Sequence, residues 1–482
     1  MANYLVIAAL LSLKIVQLER GLAMKKIKRY ENTKVLVLGL ALSGVNAAKL
    51  LHSLGALVTV NDYKSFDENP EAQELLESGI RVVTGGHPVE LLDEDFEWIV
   101  KNPGIMYNNP IIVRALEKQI PVITEVELAY EVAESMLIGV TGTNGKTTTT
   151  TMIAELLNMN RENGHAYVAG NIGTPASLVA QQATVDDETI MELSSFQLMG
   201  ITEMKPHIAV ITNIYSAHLD YHGTREEYVA AKMRITENQT AADYLVVNWD
   251  QPELRELAKS SQAQIIPFSR LERVSNGVYL ENEVIFYRDE PVMNKASILV
   301  PGDHNVENAM AAIAVAKLLN QENGAIRECL QQFSGVKHRT QFVREYQQRR
   351  FYNDSKATNN LATKNALKGF DVPVILLAGG LDRGNDFDEL IPELKRVKAL
   401  VLFGETAAKL AETGKKAGVQ QIEFVQNVEA AVPVAFEISQ PGEVILLSPA
   451  CASWDQYRSF EVRGDAFIQS ISQLIAKEEE EE

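Results

Sequence analysis

Residues 136–151 read MLIGVTGTNGKTTTTT, and the fold follows from them. Met136 to Val140 is a short apolar run, the pattern of a buried strand. Thr141 to Thr147 is a glycine-rich turn closing on Gly145-Lys146-Thr147. Behind it Met152, Ile153, Leu156 and Leu157 repeat at helical spacing. A strand, a glycine-rich turn and a helix opening on Lys-Thr make a phosphate cradle. The glycines let backbone N–H groups approach phosphate oxygens, and the helix N-terminus adds positive partial charge. Lys146 is placed to reach the β- and γ-phosphates, and the Thr147 hydroxyl to hold Mg²⁺. The general pattern G-x-x-x-x-G-K-[ST] asks for glycine at position 140. Val140 stands there, with glycines at 139 and 142. The loop points to a nucleoside triphosphate and is silent on what its energy drives.

Outward from the loop, apolar strand runs end again and again in polar residues. Gly164 to Ala169 leads into Gly170-Asn171, Thr189 to Glu192 into Leu193-Ser194-Ser195, and Ile208 to Thr212 into a segment carrying His218 and Asp220. A helix is expected over 224–238, a hairpin over 278–287, and an alanine-rich helix over 309–319. Toward the N-terminus, Lys34 to Leu38, Gly39 to Gly44, a helix over 45–54 and Leu57 to Val60 form a βαβ beginning. It ends in Asn61-Asp62, where doubly wound folds contact a ribose or base. The middle glycine of a dinucleotide fingerprint is missing. Past a linker at Phe333-Ser334-Gly335, strands at 350–353, 374–378, 399–403 and 444–447 repeat the scheme. Their polar loops are 354–359, 379–384 and 448–453. In open parallel sheets the strand C-ends converge on one crevice. The fold class is therefore α/β in three domains: a Rossmann-like N-terminal domain (24–128), a P-loop ATPase central domain with a mostly parallel sheet (129–335) and a Rossmann-like C-terminal domain (336–482).

Composition narrows the function classes. The chain has 482 residues, 46% hydrophobic and 23% charged, enough for several cores. A formal net charge of −19, with no broad basic stripe, argues against nucleic acid as a partner. Cys329 and Cys451 are too few for a disulfide framework and fit no metal motif, so a reducing compartment is expected. Ala2 to Leu13 is apolar but too short to span a bilayer, and no basic residue precedes it. With Met24-Lys25-Lys26 following, residues 1–23 are expected to be an extension ahead of a cytoplasmic enzyme.

Taken singly, most of the polar residues have bland readings. Glu192, at a strand end, is placed to put a carboxylate on Mg²⁺ as the distal acid of a P-loop site, with a cap for the next helix as the bland alternative; His218 is a local hydrogen-bonder, Lys232 lies on a helix surface, and Asp354 or Ser355 caps a helix. Taken together, GVTGTNGKTT (139–148), GNIGTPA (170–176), MELSSFQL (191–198), HLDYHGTREEYVAAKMRI (218–235), GDHNVENAMAA (302–312), His338-Arg339, NDSKATN (353–359) and LLSPACASWDQY (446–457) resemble the Mur ligases. These are ATP-dependent amino-acid ligases of peptidoglycan precursor synthesis. The resemblance runs over nearly the whole chain from Met24. Within the family, NDSKATN and SPACASWDQ are similar to the D-glutamate-adding branch.

The resemblance implies roles, position by position. Gly142, Thr143, Asn144, Gly145, Lys146, Thr147 and Thr148 would hold ATP, with Asn305, Asn308, Arg339 and Asp354. Two Mg²⁺ ions would be held by Thr147, Glu192, His218 and Lys232, the last carbamylated by CO₂. A carbamate is an anion with oxygens suited to a hard cation, which an ammonium is not. Lys146, His218 and Lys232 would be the catalytic set. Leu42, Ser43, Asp62, Tyr63, Lys64, Asn102, Gly104 and Asn171 would cradle the UDP-substrate. Lys356, Thr358, Arg383, Ser453 and Phe460 would form the D-glutamate pocket. Arg383 stands where some relatives carry lysine, and Tyr63-Lys64 where others carry Thr-Arg. The implied substrates are UDP-N-acetylmuramoyl-L-alanine, D-glutamate and ATP, used by a cytoplasmic monomer with no membrane partner. The implied route is an acyl phosphate, with closure of the third domain during turnover. Two other readings share the ATPase motifs. A related ligase, such as a folylpolyglutamate synthetase, lacks NDSKATN and SPACAS. A nucleotide-gated regulatory protein would turn over ATP slowly and ignore amino acids.

Overall fold

The computed structural model describes residues 24–481; the expected extension, 1–23, lies outside them. Three sheets occur among the described residues. The first holds β1 (Lys34–Leu38), β2 (Leu57–Asp62), β3 (Arg81–Thr84), β4 (Trp98–Lys101) and β5 (Val122–Thr124) in the order 3-2-1-4-5. All its pairings are parallel. β1 is apolar on both faces because helices cover both, as parallel sheets require. Register sets Leu38 beside Asn61 and beside Lys101, so the Gly39 turn, Asp62 and Asn102 emerge at one edge. The helix Leu42–Ser53 starts there. A Cβ on Gly44 would lie 1.9 Å from the Gly39 carbonyl oxygen, so only glycine lets this helix approach the strand.

The second sheet contains β6 (Met136–Thr141), β7 (Ala166–Gly170), β8 (Glu188–Glu192), β9 (Ile208–Ile211), β10 (Tyr244–Asn248), β11 (Gln264–Ser269), β12 (Val278–Glu281), β13 (Val284–Tyr287) and β14 (Glu290–Asn294). Their order is 14-13-12-11-10-9-6-8-7. It is parallel from β7 to β12, and β12 and β13 form the expected hairpin. Val140 pairs with Glu192, Thr141 with Ile211 and Gly170 with Glu192, so four strand ends open on one crevice. The helix expected over 224–238 is α-helical over Arg225–Met233 and tightens to a 3₁₀ turn at Arg234–Thr236. There the Arg234 guanidinium donates to the carbonyls of Met199 and Ile201 at 2.6 Å each. The third sheet, β15 (Gln341–Tyr346), β16 (Arg349–Asn353), β17 (Val374–Gly379), β18 (Val397–Phe403), β19 (Gln421–Phe424) and β20 (Val444–Leu447), runs 15-16-20-17-18-19. It is parallel apart from the β15–β16 hairpin.

The chain divides into two compact units. One comprises the residues up to Met293 with Glu307–Arg327, the other Asn294–Val306 with Glu328 onward. Within the first, the first and second sheets are joined firmly. The buried Glu127 carboxylate accepts from Thr202 N, Thr202 Oγ1, Glu203 N and Met204 N at 2.6–3.1 Å. Thr124 bonds Gln197 and Gly200. No helix among the described residues is long and apolar enough to cross a membrane.

Candidate active site

The turn after β6 takes its shape from neighbouring strand ends. Gly145 caps the helix Lys146–Asn158 at φ +80°, and a Cβ there would sit 2.3 Å from Asn308 Oδ1. Thr212 Oγ1 donates to the Asn144 carbonyl at 2.7 Å, Asn144 N donates to Asn213 Oδ1 at 2.9 Å, and Thr143 Oγ1 lies 2.9 Å from the Tyr228 hydroxyl. The loop is thus fixed by its own surroundings, which pre-pays the ordering a phosphate site needs. Lys146 Nζ folds back on the Gly142 and Thr143 carbonyls at 2.9 Å each.

Glu192, at the end of β8, is nearly fully buried. Its Oε2 accepts from Thr147 Oγ1 at 2.8 Å and its Oε1 from Asn171 Nδ2 at 2.7 Å. Three expected residues therefore meet at one carboxylate. Lys232 is 1% exposed, and its Nζ bonds the Gly142 carbonyl at 2.8 Å, the acceptor that Lys146 also uses. It lies 4.7 Å from the centre of the Tyr228 ring. Burial, with the nearby Lys146 charge, pushes its amine down to about 7. His218 takes a left-handed backbone (φ 54°) before a single helical turn, and its ring meets Phe196 edge-on at 5.1 Å. Its neighbour His222 stacks on the same Phe196 ring, 7° from parallel, and pairs Nε2 with Ser195 Oγ at 2.9 Å.

No three His, Cys, Asp or Glu side chains gather to hold a metal among the described residues. The expected Mg²⁺ set holds only two of those types, Glu192 and His218; its other members are a hydroxyl and a lysine. The donors fit a hard cation if Lys232 carries an anionic oxygen group, because an ammonium at that position repels one. Its burial and lowered amine suit that modification, since only the neutral amine attacks CO₂.

On the first sheet, Asp62 Oδ2 accepts from Leu40 N at 2.7 Å and Oδ1 from Lys64 N at 2.9 Å, which shapes the turn carrying Leu42 and Ser43. Asn102 Nδ2 donates to Ser43 Oγ at 3.1 Å, and Gly104 N to Asn102 Oδ1 at 3.2 Å. Leu42 and Tyr63 are exposed apolar groups beside these turns.

In the second unit, Asp354 follows β16 with its carboxyl bonded to Ser448 Oγ (2.8 Å) and Thr340 N (3.0 Å). Burial raises it to about 7. Arg339 lies near enough to favour its charged form. Asn305 Nδ2 bonds the Pro301 carbonyl at 2.7 Å. Lys356 Nζ sits 5.0 Å from the Phe460 ring and the Arg383 guanidinium 4.8 Å from the Trp454 ring. Ser453 is 1% exposed, and its hydroxyl has no partner among the described residues.

Three family models match in chain order: the Mur ligase MurD-like N-terminal domain over 33–124, the Mur ligase middle domain over 140–316 and the Mur ligase glutamate ligase domain over 338–451. The chain belongs to the Mur ligase family. It is 64% identical over 458 residues to the UDP-N-acetylmuramoylalanine--D-glutamate ligase of Lactiplantibacillus plantarum, covering 95% of this chain and 100% of that one. Two solved Mur ligases share the fold at lower identity. A UDP-N-acetylmuramoyl-L-alanyl-D-glutamate--2,6-diaminopimelate ligase is 19% identical with TM-score 0.56, covering 95% of each chain. MurF from Thermotoga maritima, in complex with ADP, is 17% identical with TM-score 0.54, covering 95% of this chain and 98% of that one.

Against this Mur ligase frame, the sequence motifs left several site residues without a role. Thr212, Asn213 and Tyr228 hold the phosphate loop, and the first two could have been found from their place after a parallel strand. Buried Arg463 and Lys101 carry no such signal, since lysine and arginine are surface residues by default.

Proposed function

We propose that this chain joins D-glutamate to UDP-N-acetylmuramoyl-L-alanine, with ATP cleaved to ADP and phosphate. It does so as a monomer in the cytoplasm, with the three domains bounded at 128/129 and 335/336. The 64% identity over the whole length of a D-glutamate ligase carries this reading. Two cations held on aromatic rings, Lys356 at Phe460 and Arg383 at Trp454, support an amino acid with two carboxylates as the second substrate.

The chemistry suits the site. Oxide is a poor leaving group, so a carboxylate must be activated before an amine can displace it. The alanyl carboxylate oxygen attacks the γ-phosphorus, the bond to the ADP oxygen breaks, and an acyl phosphate forms. The D-glutamate amine then adds to the acyl carbon, loses a proton, and the tetrahedral adduct expels phosphate with the C–O bonding pair. Lys146 brings positive charge to the transferring phosphoryl, while the loop N–H groups bind the remaining phosphates. Gly142 to Thr148, with Asn308, form the nucleotide cradle, and Asn305, Arg339 and Asp354 are also assigned to ATP. Thr147, Glu192, His218 and carbamylated Lys232 would hold two Mg²⁺ ions. When bound, these would neutralise phosphate charge. Asn171 would position the muramoyl end of the donor, and the Leu42–Ser43, Asp62–Lys64 and Asn102–Gly104 turns its UDP end. Lys356, Thr358, Arg383, Ser453 and Phe460 would orient D-glutamate.

The test is phosphate release from ATP, Mg²⁺ and UDP-N-acetylmuramoyl-L-alanine with a panel of amino acids. Release is expected with D-glutamate and to fall at least about a hundredfold with L-glutamate, whose amine or carboxylates must miss their partners. Equal release with L-glutamate, or with no amino acid, would falsify the assignment.

A further inference from the structure

Lys101, the last residue of β4, is 1% exposed, and no carboxylate pairs with it among the described residues. Its Nζ donates instead to the carbonyls of Ile105 (2.9 Å), Pro103 (3.3 Å) and Asn102 (3.4 Å), and meets the Tyr221 hydroxyl at 3.3 Å. The Tyr107 ring closes the cage at 4.8 Å. The Tyr221 hydroxyl shares the same acceptors, lying 3.0 Å from the Ile105 carbonyl and 3.3 Å from that of Pro103. Tyr221 packs its ring on Phe196 at 4.3 Å, and Phe196 meets His218 at 5.1 Å.

A cation buried without a counter-charge is expensive, and methionine would fill the same space without that cost. Burial alone pushes this amine down to about 8. What the ammonium adds is direction. Carbonyls of three residues in one short loop converge on one point, so the loop cannot relax. Within the same turn the Asn102 side chain bonds Ser43 Oγ and Gly104 N.

We infer that Lys101 and Tyr221 are a positioning pair that fixes the Asn102–Ile105 turn of the UDP-substrate cradle against the His218–His222 segment. The pair thereby sets the placement of the UDP-substrate's reactive end. The inference rests on the reading that this cradle takes the UDP-substrate. Neither residue touches the reacting atoms; both act through the turn they hold.

The test compares Lys101→Met, Tyr221→Phe and the double variant with the unchanged full-length protein. Binding of UDP-N-acetylmuramoyl-L-alanine is measured by calorimetry without ATP, and KM is measured for all three substrates. Lys101→Met is expected to weaken UDP-substrate binding and raise its KM about tenfold, and Tyr221→Phe about fivefold. KM for ATP and D-glutamate should stay within about twofold, and the double variant should be no worse than Lys101→Met, because the two groups act on the same carbonyls. Unchanged UDP-substrate binding, an equal rise in all three KM values, or multiplied effects in the double variant would overturn the pair. Should Lys101→Met not fold, Tyr221→Phe decides alone, since it removes one hydroxyl and keeps the ring on Phe196. If the unchanged protein binds the UDP-substrate but ignores D-glutamate, the proposed reaction fails while the binding arm still judges the pair.

Discussion

Lys232→Ala is expected to lower D-glutamate-dependent phosphate release by about two to three orders of magnitude, the usual loss when a preorganised charge is removed from a transferring group. The argument starts from burial. Lys232 is 1% exposed, feels both the Lys146 charge and the opposing Glu192 carboxylate, and shares the Gly142 carbonyl with Lys146. An ammonium there adds positive charge where a second Mg²⁺ is proposed. Once the amine is neutral it can attack CO₂, forming the N–C bond and releasing a proton, and the site gains an anion instead. Acetate or propionate should restore part of the activity of Lys232→Ala by supplying a carboxylate in the vacated space. ¹³C NMR of protein equilibrated with labelled CO₂ should show one carbamate resonance that the variant lacks. The amine sits near 7 instead of near 10.5, so its neutral fraction rises through pH 7 and then levels off. In metal-free protein at fixed dissolved CO₂, carbamate formation should therefore rise about tenfold per pH unit below 7 and flatten above it. A rate still climbing steeply at pH 9 would mean an ordinary exposed lysine. Full activity of the unsupplemented variant would remove the carbamate role.

Much of this arrangement was legible from residues 136–151 outward. β1, β6, β9, β17 and β20 are made mostly of Val, Ile, Leu and Ala buried on both faces, and such runs announce themselves as apolar stretches with polar ends. Parallel topology then brings those ends together, which is why Thr147, Asn171 and Glu192 meet. β15 escaped notice because Gln341–Tyr346 is an edge strand of mixed polarity with no fully buried residue. The helix expected over 224–238 stops early because Arg234 turns to cap the carbonyls of Met199 and Ile201, a tertiary contact that periodicity cannot register. Lys232 was bland until the family resemblance gave it a role. Lys101 and Arg463 stayed bland even then. Composition treats Lys and Arg as solvated, and only the packing shows which are caged. Charge near a loop can be guessed from a motif; for Lys232 and Arg463 the acceptors that orient it come from distant segments.

Arg463 carries the largest expected effect on stability. It is fully buried near the start of the helix Phe460–Glu481, and burial lowers its guanidinium to about 10. Nη2 donates to the carbonyls of Ser355 (2.9 Å) and Cys451 (3.0 Å), Nη1 to that of Gly379 (3.4 Å), and Nε to Ser355 Oγ (3.1 Å). One planar fork thus ties three loops, and each continues into a proposed D-glutamate residue: Lys356 after Ser355, Ser453 after Cys451, Arg383 after Gly379. Arg463→Met keeps most of the volume and ends the cost of burying a charge, which favours the variant. Against that, it takes the guanidinium donors from three carbonyls, at about 1–3 kcal/mol for each that water cannot reach, while the Ser355 hydroxyl keeps its 2.7 Å bond to the Phe460 carbonyl. Those losses outweigh the gain, because three carbonyls face a single donor group. A net loss of about 3 kcal/mol is expected, read as a lower urea midpoint with an unchanged slope. Arg463→Lys separates scaffold from site. It keeps the charge but cannot span acceptors set in a plane, so it should recover part of the stability while KM for D-glutamate stays raised about tenfold and KM for ATP does not. If Arg463→Lys restores D-glutamate affinity along with stability, the fork geometry is not what orders the pocket. If both variants unfold at the midpoint of the unchanged protein, the three loops are held by their own contacts, and the buried cation is an expense the fold tolerates for another reason.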